Sequence, residues 1–537
     1  MKKLLLGILG FIIFFFFAFT SGIYSAHVFD MRPSFQAFMV FTFIFGFFGG
    51  VLFSSYCWKK TGLGNFARSV RKKINMSDIL LTFPSPTSTS PQQNPALSIF
   101  YPGAALEREG HNVLYWDERW DSDRDLSDKI DKVDYVGTSS LTGEQLKGVK
   151  RILTIAKERG KVTVFGGIHA SLTPFESIRE DYIDYIVVGE GEKTIVSLAK
   201  AVEKNDDTLL NEIKSFAFRD KDQKVKFNLQ RDFVENLDNL PMPAWDLIDM
   251  NEFGMKLDNY YNPRNLPLKF KSALFSSRAC PLDCNFCDMF LVMGKKHRKR
   301  SVKTIVAEME MLKKDFGVNY FSFMDDQLTL NRGHILELCD EIIKRNLNIQ
   351  FDTPNGLWIN SLREEVIAKM AEAGLVSATL AIEHGDEYMR NEVIGKKLEK
   401  KKIFEVAALI KKYKIMSSGL FILGFPEDTN ETLQQTYDMM HELQLDKMTS
   451  TTLIPFPGTA LYKQVIKDNL LVHNWNIDEL WKTPISHAQG EILIKPYNLT
   501  IDELYKWREK FDNIRYQYWK TNPKRDANVG KSRYKKV

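Results

Sequence analysis

Short apolar segments alternate with amphipathic segments along two long stretches of the chain, and this alternation restricts the possible folds more than any other feature. In the first stretch, helical patterns such as 143–159 and 192–204 lie between or after segments of strand length. The predicted strands are 79–83, 112–116, 135–138, 162–165 and 185–188. Such an alternation predicts a parallel sheet with helices on both faces, and sheets of this kind bind ligands at the carboxyl ends of their strands.

The second alternation begins near residue 271 and contains six strand–helix units. The predicted strands are 271–277, 319–323, 348–352, 377–382, 417–423 and 448–454. The predicted helices between them include 302–314, 335–345, 363–373, 398–413 and 431–443. Six successive units predict an incomplete (β/α) barrel, whose active residues are expected at the carboxyl ends of the strands.

Three cysteines, Cys280, Cys284 and Cys287, follow the first strand of this second stretch in a C-x3-C-x2-C arrangement. Three thiolates can hold three corners of a [4Fe–4S] cube and leave one iron open, whereas electron-transfer clusters and structural zinc usually have four protein ligands. A zinc site with a nearby fourth ligand is the alternative, and three thiols do not form an even set of disulfides. The nearby candidates for a fourth ligand are Asp283, Asp288 and His297.

The cysteine motif resembles that of the radical S-adenosylmethionine (SAM) superfamily. The resemblance implies that SAM binds the open iron through its amine and carboxylate, and that one-electron cleavage of SAM yields a 5′-deoxyadenosyl radical. It also implies that polar groups at the strand ends contact SAM. The implied contact residues are Asp325, Asp326, Glu383, Gly385, Gly424 and Glu427. The alternative for each acid is a helix cap or a first-turn carboxylate, and no residue is assigned a catalytic role.

The strand ends of the first stretch resemble a cobalamin (B12)-binding domain. Ser139 and Leu141 follow the third strand, and Gly166 and Gly167 follow the fourth. The resemblance implies that these residues line a cobalamin pocket, and the Gly-Glu-Gly-Glu run at 189–192 resembles the branch related to anaerobic magnesium-protoporphyrin ester cyclase. The usual Asp-x-His-x-x-Gly motif is absent from residues 84–102. Cobalamin is therefore expected without that histidine ligand, and loss of the cofactor is the alternative.

Two uncharged runs near the beginning of the chain, residues 4–20 and 35–56, have the length of bilayer-spanning helices. Lysines precede the first run, and lysines and arginines follow the second, so the positive-inside rule predicts a two-pass membrane protein with its catalytic domains in the cytoplasm. A cleaved signal peptide is the alternative. The hairpin would bring the enzyme to the lipid bilayer, which favours a hydrophobic small-molecule substrate.

The patterns together predict an α/β protein of six segments. These are a transmembrane helical hairpin (1–58), a basic linker (59–77), a Rossmann-like cobalamin-binding-type domain (78–230), a linker (231–268), a radical SAM barrel (269–465) and a helical cap with a basic tail (466–537). The aromatic-rich cap is expected either to cover the barrel as a lid or to pack as a plain helix. A net charge of only +5 does not favour a nucleic-acid partner.

The predicted function is a radical SAM enzyme that uses a [4Fe–4S] cluster, SAM and cobalamin to methylate a hydrophobic substrate. Its reductant is expected to resemble flavodoxin or ferredoxin. Oxidative cyclisation or rearrangement is the first alternative, and a non-catalytic membrane sensor of cobalamin or of the cluster is the second.

Overall fold

The computed structural model describes residues 77–85, 94–143, 145–204, 206–220, 222–249, 262–268, 270–472 and 491–521. These residues belong to one compact unit, residues 76–537. They contain two main sheets, which follow one another along the chain.

The first sheet has seven strands in the order β2-β1-β3-β4-β5-β6-β7. The strands are β1 (Asp78–Phe83), β2 (Asn112–Asp117), β3 (Tyr135–Ser139), β4 (Val162–Gly166), β5 (Tyr185–Val187), β6 (Phe216–Arg219) and β7 (Val225–Asn228). The first five are parallel, and β6 and β7 continue the sheet as antiparallel strands. Every residue of β1 is buried, as expected for a central strand with helices on both faces.

Seven helices accompany this sheet. They are α1 (Leu97–Arg108), α2 (Asp123–Ile130), α3 (Gln145–Glu158), α4 (Gly167–Leu172), α5 (Pro174–Ser177), α6 (Glu192–Glu203) and α7 (Asp207–Glu212). Successive side chains of β1 enter different cores: Ile79 and Leu81 lie in the core that contains Phe100, whereas Leu80 lies in the core that contains Trp116. Because a one-residue slip would exchange these faces, the two cores fix the register of the strand.

The second sheet has six parallel strands in the order β15-β14-β13-β12-β11-β8, with a separate antiparallel pair, β9 and β10. The strands are β8 (Phe270–Leu274), β9 (Ser277–Arg278), β10 (Arg298–Lys299), β11 (Val318–Phe323), β12 (Gln350–Leu357), β13 (Leu375–Glu383), β14 (Met416–Leu423) and β15 (Lys447–Thr452). In the described part of the chain, β8 and β15 are the two ends of this sheet. It is therefore the incomplete (β/α) barrel that the second alternation predicts.

Seven helices accompany the barrel strands. They are α8 (Met289–Met293), α9 (Val302–Phe316), α10 (Arg332–Lys344), α11 (Glu364–Ala373), α12 (Lys400–Lys412), α13 (Asn430–Leu443) and α14 (Ala460–Lys467). The first long one, α9, shows how the sequence sets their ends. Ser301 accepts a hydrogen bond from the Thr304 N–H at the start of α9, and Gly317 adopts a left-handed conformation at its end. Short 3₁₀ segments (Leu237–Asn239, Trp245–Leu247 and Ile359–Ser361) and a π-helical segment (Met389–Val393) complete the regular structure.

The last helix, α15 (Ile501–Thr521), packs against the end of the barrel. Leu504 and Phe511 are fully buried there. The Trp507 indole N–H donates to Asn430 at the start of α13 over 2.8 Å. This part of the predicted cap acts as a packing helix, and residues 473–490, which precede it, lie outside the described residues.

The predicted transmembrane hairpin has to be corrected. In the residues that the structure describes, no helix is both long and apolar enough to cross a membrane. The two runs that motivated the prediction, residues 4–20 and 35–56, lie outside those residues. Apolar length is a necessary feature of a bilayer span and not a sufficient one. The described residues form α/β domains, and this finding contradicts the predicted two-pass membrane localisation and bilayer contact.

Candidate functional site

The carboxyl ends of the two sheets line one cavity of about 760 Å³. The loops after β3, β4 and β5 form one wall, and the barrel strand ends with the cysteine loop form the other. Most of the predicted contact residues lie in these walls. They are Ser139, Leu141, Gly166, Gly167, Cys280, Cys284, Cys287, Asp326 and Glu383. The fold thus brings together residues that are up to 244 positions apart in the sequence, from Ser139 to Glu383.

The cysteine loop joins β9 to α8, and its backbone is held before the first cysteine. Ala279 has a φ of +74°, a left-handed conformation that is uncommon for a residue with a side chain. Its N–H donates to the Asp326 carboxylate over 3.0 Å. Burial raises the pKa of Asp326 to about 6. Asp326 therefore fixes the direction in which the loop leaves the barrel.

The three cysteines of the loop have free thiols. Burial raises the pKa of the Cys284 thiol to about 11, and it raises the pKa values of Cys280 and Cys287 as well. Because metals bind the thiolate, loading of iron must release protons from these groups. Phe286, which directly precedes Cys287, packs edge-to-face on Phe425 with ring centroids 6.1 Å apart.

No three His, Cys, Asp or Glu side chains among the described residues are arranged around a single metal ion. In a [4Fe–4S] cube each thiolate binds a different iron, so the three sulfur atoms do not have to meet at one point. Free thiols on one loop that lines a cavity suit such a cluster, with room left beside it for a further ligand.

Glu383 and Lys396 form a buried ion pair in the same wall. Glu383 ends β13 in a left-handed conformation with a φ of +68°, and such strain concentrates at functional sites. Lys396 arrives from the loop after the π-helical segment, and its positive charge opposes the effect of burial on the pKa values of Cys280 and Cys284. The sequence analysis missed Lys396, which belongs to no motif.

The remaining predicted SAM residues lie behind the cavity wall. Asp325 is fully engaged by the turn after β8, where it accepts hydrogen bonds from the hydroxyls of Ser276 and Ser277 over 2.6 and 2.5 Å. Gly385 is packed so closely that an added Cβ would lie 2.3 Å from the Thr436 Cα. Asp325 therefore supports the site by holding the turn after β8, and Gly385 supports it by allowing close packing against the backbone of α13.

The turn after β14 is held by a second buried pair. Asp428 accepts hydrogen bonds from the N–H groups of Gly424 and Phe425 over 2.7 and 2.9 Å. His384 Nε2 lies 3.1 Å from the other oxygen of the same carboxylate. Glu427 turns away and accepts from the Gln464 amide over 2.5 Å. His384 therefore orients the carboxylate that shapes this turn.

The opposite wall is a cradle of small residues and backbone. Gly167 has a φ of +90°, and an added Cβ would lie 2.6 Å from the Ser139 hydroxyl oxygen and 2.7 Å from the Ser140 nitrogen. The Ser140 hydroxyl is buried, lines the cavity and has no hydrogen-bond partner among the described residues. A concave surface with a vacant polar atom fits a bulky ligand that carries hydrogen-bonding groups, as cobalamin does.

His169 in α4 lies below this cradle. It is buried, its Nδ1 lies 3.1 Å from the Thr142 hydroxyl, and burial lowers its pKa to about 3. No histidine is among the described residues of the cavity wall.

The Gly-Glu-Gly-Glu run after β5 makes contacts that the sequence did not predict. Glu190 lies 2.7 Å from Arg298 and 3.3 Å from Arg278, and Glu192 lies 2.6 Å from Arg278. Both arginines belong to the barrel domain, at the two ends of the cysteine loop. Arg278, two residues before Cys280, is the sequence feature that could have indicated these contacts. Its partners, Glu190 and Glu192, are distant in the sequence.

Comparison with known proteins agrees with this architecture. Residues 87–199 match the model of the B12 binding domain, and residues 274–440 match the model of the radical SAM superfamily. An uncharacterized methyltransferase of Pyrococcus horikoshii is 29% identical over 439 residues, which make up 79% of this chain and 91% of that protein. The anaerobic magnesium-protoporphyrin IX monomethyl ester cyclase of Rubrivivax gelatinosus is 29% identical over 342 residues, or 62% of this chain and 59% of that protein.

A solved structure shows the same fold. The radical SAM methyltransferase TsrM from Kitasatospora setae, with tryptophan substrate and a SAM analog bound, superposes with a TM-score of 0.66 at 17% identity over 82% of this chain and 89% of that one. Its structure with cobalamin and a [4Fe–4S] cluster gives a TM-score of 0.63. The two family matches give a [4Fe–4S] cluster, SAM and cobalamin as the cofactors of this chain. The chain is a radical SAM enzyme with a B12-binding domain, and its homologues include the anaerobic magnesium-protoporphyrin IX monomethyl ester cyclases.

Proposed function

We propose that this enzyme transfers a methyl group from SAM to a carbon atom of a hydrophobic small molecule. The observation that carries the proposal is the single cavity lined by both the cysteine loop and the cobalamin-type wall. A substrate bound there touches both cofactor sites. Bound in this cavity, the cluster supplies an electron for SAM cleavage and cobalamin supplies a carrier for the methyl group.

The residues of the two walls divide these tasks. Cys280, Cys284 and Cys287 hold the cluster, and the Glu383–Lys396 pair beside them offers an anion and a cation to the polar groups of SAM. On the opposite wall Ser139, Leu141, Gly166 and Gly167 hold the corrinoid. Asp326 keeps the cysteine loop in place.

The lining between the cofactor sites favours an apolar substrate. Phe275, Met289, Met324, Leu420 and Ile422 contribute apolar surface to it. Every charged side chain in the described wall is engaged by another protein group, either in an ion pair or, for Asp326, by a backbone N–H. A charged group on the substrate would therefore compete with an existing protein partner for its counter-ion and would bear the cost of desolvation.

Two of the relatives named above are described as methyltransferases, and this chain spans about nine-tenths of each of them. Oxidative cyclisation is the second candidate, because the Rubrivivax gelatinosus cyclase shares 29% identity with this chain. The two reactions differ in the fate of the SAM methyl group, which enters the product only in methylation. An external one-electron donor such as flavodoxin or ferredoxin serves either reaction.

The test follows the methyl group. Anaerobically reconstituted full-length enzyme is incubated with methyl-deuterated SAM, a reductant and an organic extract of the source cells, with the Cys284→Ala variant as control. Methylation of a hydrophobic substrate places deuterium in a compound that partitions into organic solvent, and the variant abolishes it. Formation of 5′-deoxyadenosine with no deuterium in any product contradicts methylation and supports the cyclase-type reaction. Label confined to water-soluble products contradicts the substrate class.

A further inference from the structure

The Gly-Glu-Gly-Glu run and the cysteine loop meet through buried charges. The cysteine loop and α8 lie in residues 279–297, between β9 and β10, where Arg278 and Arg298 are direct partners in the antiparallel pair. Like charges directly opposite each other in a strand pair repel. Both guanidinium groups are buried, so this repulsion is poorly screened by solvent. The β9–β10 pair, which forms the stem of the loop, therefore requires negative charges nearby to compensate for this repulsion.

Glu190 and Glu192 supply these anions from the other domain. One Glu190 oxygen lies within ion-pair distance of both arginines, and the second oxygen accepts a hydrogen bond from the Val234 N–H over 2.7 Å. Glu192 accepts from Arg278 over 2.6 Å. The Arg278 guanidinium also lies over the ring of Tyr101 in α1, 4.9 Å from its centroid. The cobalamin-binding domain thus holds the stem of the cysteine loop from several sides.

Glu190 and Glu192 each have one buried carboxylate oxygen without a hydrogen-bond partner among the described residues. That oxygen of Glu190, Oε1, still lies 2.7 Å from the Arg298 guanidinium. In Glu192 the oxygen that pairs with Arg278 is Oε1, and the oxygen without a hydrogen-bond partner is Oε2. Glu192 lines the cavity and is only 5% exposed. A first-turn carboxylate that served only the α6 dipole would lie in water, where it needs no partner. A buried carboxylate oxygen on a cavity wall is suited to an N–H donor on a ligand.

We propose that Glu192 is a positioning residue that links the two cofactor sites. Its Oε2 accepts a hydrogen bond from a carboxamide N–H of the bound corrinoid, while its Oε1 holds Arg278 and thereby sets the place of the cluster loop. The proposal rests on the proposed function in that it needs both cofactors in the cavity. It gives the Gly-Glu-Gly-Glu run a role as the connection between corrinoid and cluster.

The experiment compares wild-type enzyme with Glu192→Gln and Arg278→Met, each loaded with cluster and cobalamin. The control is Glu109→Gln, which breaks an exposed ion pair with Lys200 of α6. Loss of a hydrogen bond to a charged acceptor should weaken cobalamin binding by Glu192→Gln roughly 10- to 100-fold. Arg278→Met should affect affinity less, because the ligand contact remains. The control should bind like the wild type.

The second readout is the magnetic interaction between Co(II) and the reduced cluster, measured by electron paramagnetic resonance. This interaction reports the distance between the two centres. A variant that only lowers folding stability should leave this distance unchanged. Both Glu192→Gln and Arg278→Met should alter it, and Glu109→Gln should not. Glu192→Gln with wild-type cobalamin affinity and an unchanged interaction overturns the proposal. If the wild-type enzyme binds no cobalamin, the proposed function is refuted as well. If only Glu192→Gln behaves like the wild type, the proposed function stands and the role of Glu192 is refuted.

Discussion

Replacing Glu308 alone should destabilise the enzyme more than replacing Glu308 and Arg300 together. The two side chains form an ion pair of 2.6 Å between Glu308 of α9 and Arg300, the residue directly after β10, and Glu308 is 0% exposed. Removing one partner of a buried pair leaves the other charge without compensation and costs about 3–5 kcal/mol. We therefore expect Glu308→Leu to lower the free energy of unfolding by about that amount.

The double variant Glu308→Leu, Arg300→Met removes both charges at once. Exchange of a buried pair for apolar residues is often neutral, but the Trp245 indole N–H, which donates to Glu308 over 3.1 Å, loses its acceptor. One unsatisfied buried donor costs about 1–3 kcal/mol. The double variant should therefore lose about 1–3 kcal/mol, well below the sum of the two single losses.

Urea unfolding followed by circular dichroism measures these differences. Glu310 lies on the same helix as Glu308 and forms an exposed pair with Arg345 at the end of α10. Glu310→Gln is therefore the matched control and should change stability by less than about 1 kcal/mol. The reasoning fails if Glu308→Leu costs no more than this control. It also fails if the losses of the two single variants simply add.

Three further outcomes follow from the site. Cys284→Ala should lose the iron and the visible absorbance of the reconstituted cluster, whereas Cys339→Ala, which removes a buried thiol of α10, should retain both. Gly167→Ala should abolish cobalamin retention on gel filtration, because its Cβ would lie 2.6 Å from a neighbouring hydroxyl, and Gly333→Ala, whose Cβ has no contact below 3.7 Å, should retain it. The folded-state pKa of His169 is lowered to about 3, so the unfolded chain binds a proton that the folded chain does not. Stability should therefore fall as the pH decreases from about 6.5 toward 3, and His169→Asn should flatten this part of the pH–stability curve in apo-enzyme unfolding.

Sequence reasoning succeeded where local pattern determines structure. Most strands are apolar and bounded by turns, so the positions of β1–β5, β8 and β11–β15 follow from periodicity, whereas β6 and β7 were not predicted. The residues after the parallel strands meet in one cavity because the carboxyl ends of parallel strands share an edge. The cysteine spacing is likewise a local property of one loop. These features needed no knowledge of contacts between distant parts of the chain.

Side-chain direction at irregular strand ends was beyond such reasoning. Asp325 and Asp326 are adjacent, but one is taken up by Ser276 and Ser277 while the other reaches the cavity wall. Which of them turns inward depends on the packing of a neighbouring turn. Lys396 was missed for a similar reason, since only the path of the π-helical segment brings it beside Glu383.

The prediction from the N-terminal runs was wrong because apolar length alone is not sufficient evidence of a bilayer span. Apolar length predicted a membrane hairpin, and the described residues hold no helix that could cross a membrane. The apolar lining of the cavity, by contrast, supports the proposed hydrophobic substrate wherever the enzyme resides.

Both sheets turn their carboxyl ends toward the same cavity, which separates the positions that maintain the fold from those that choose the reaction. Residues within the strands, such as Leu80 and Phe321, are buried in cores, whereas the loops beyond them are free to vary in length and chemistry. A saturation-mutagenesis map of this chain should therefore divide in two. Substitutions in the strands should lower the abundance of folded protein, whereas substitutions in the loops should lower activity. New substrate preferences could arise by changes in the loops that leave folding intact.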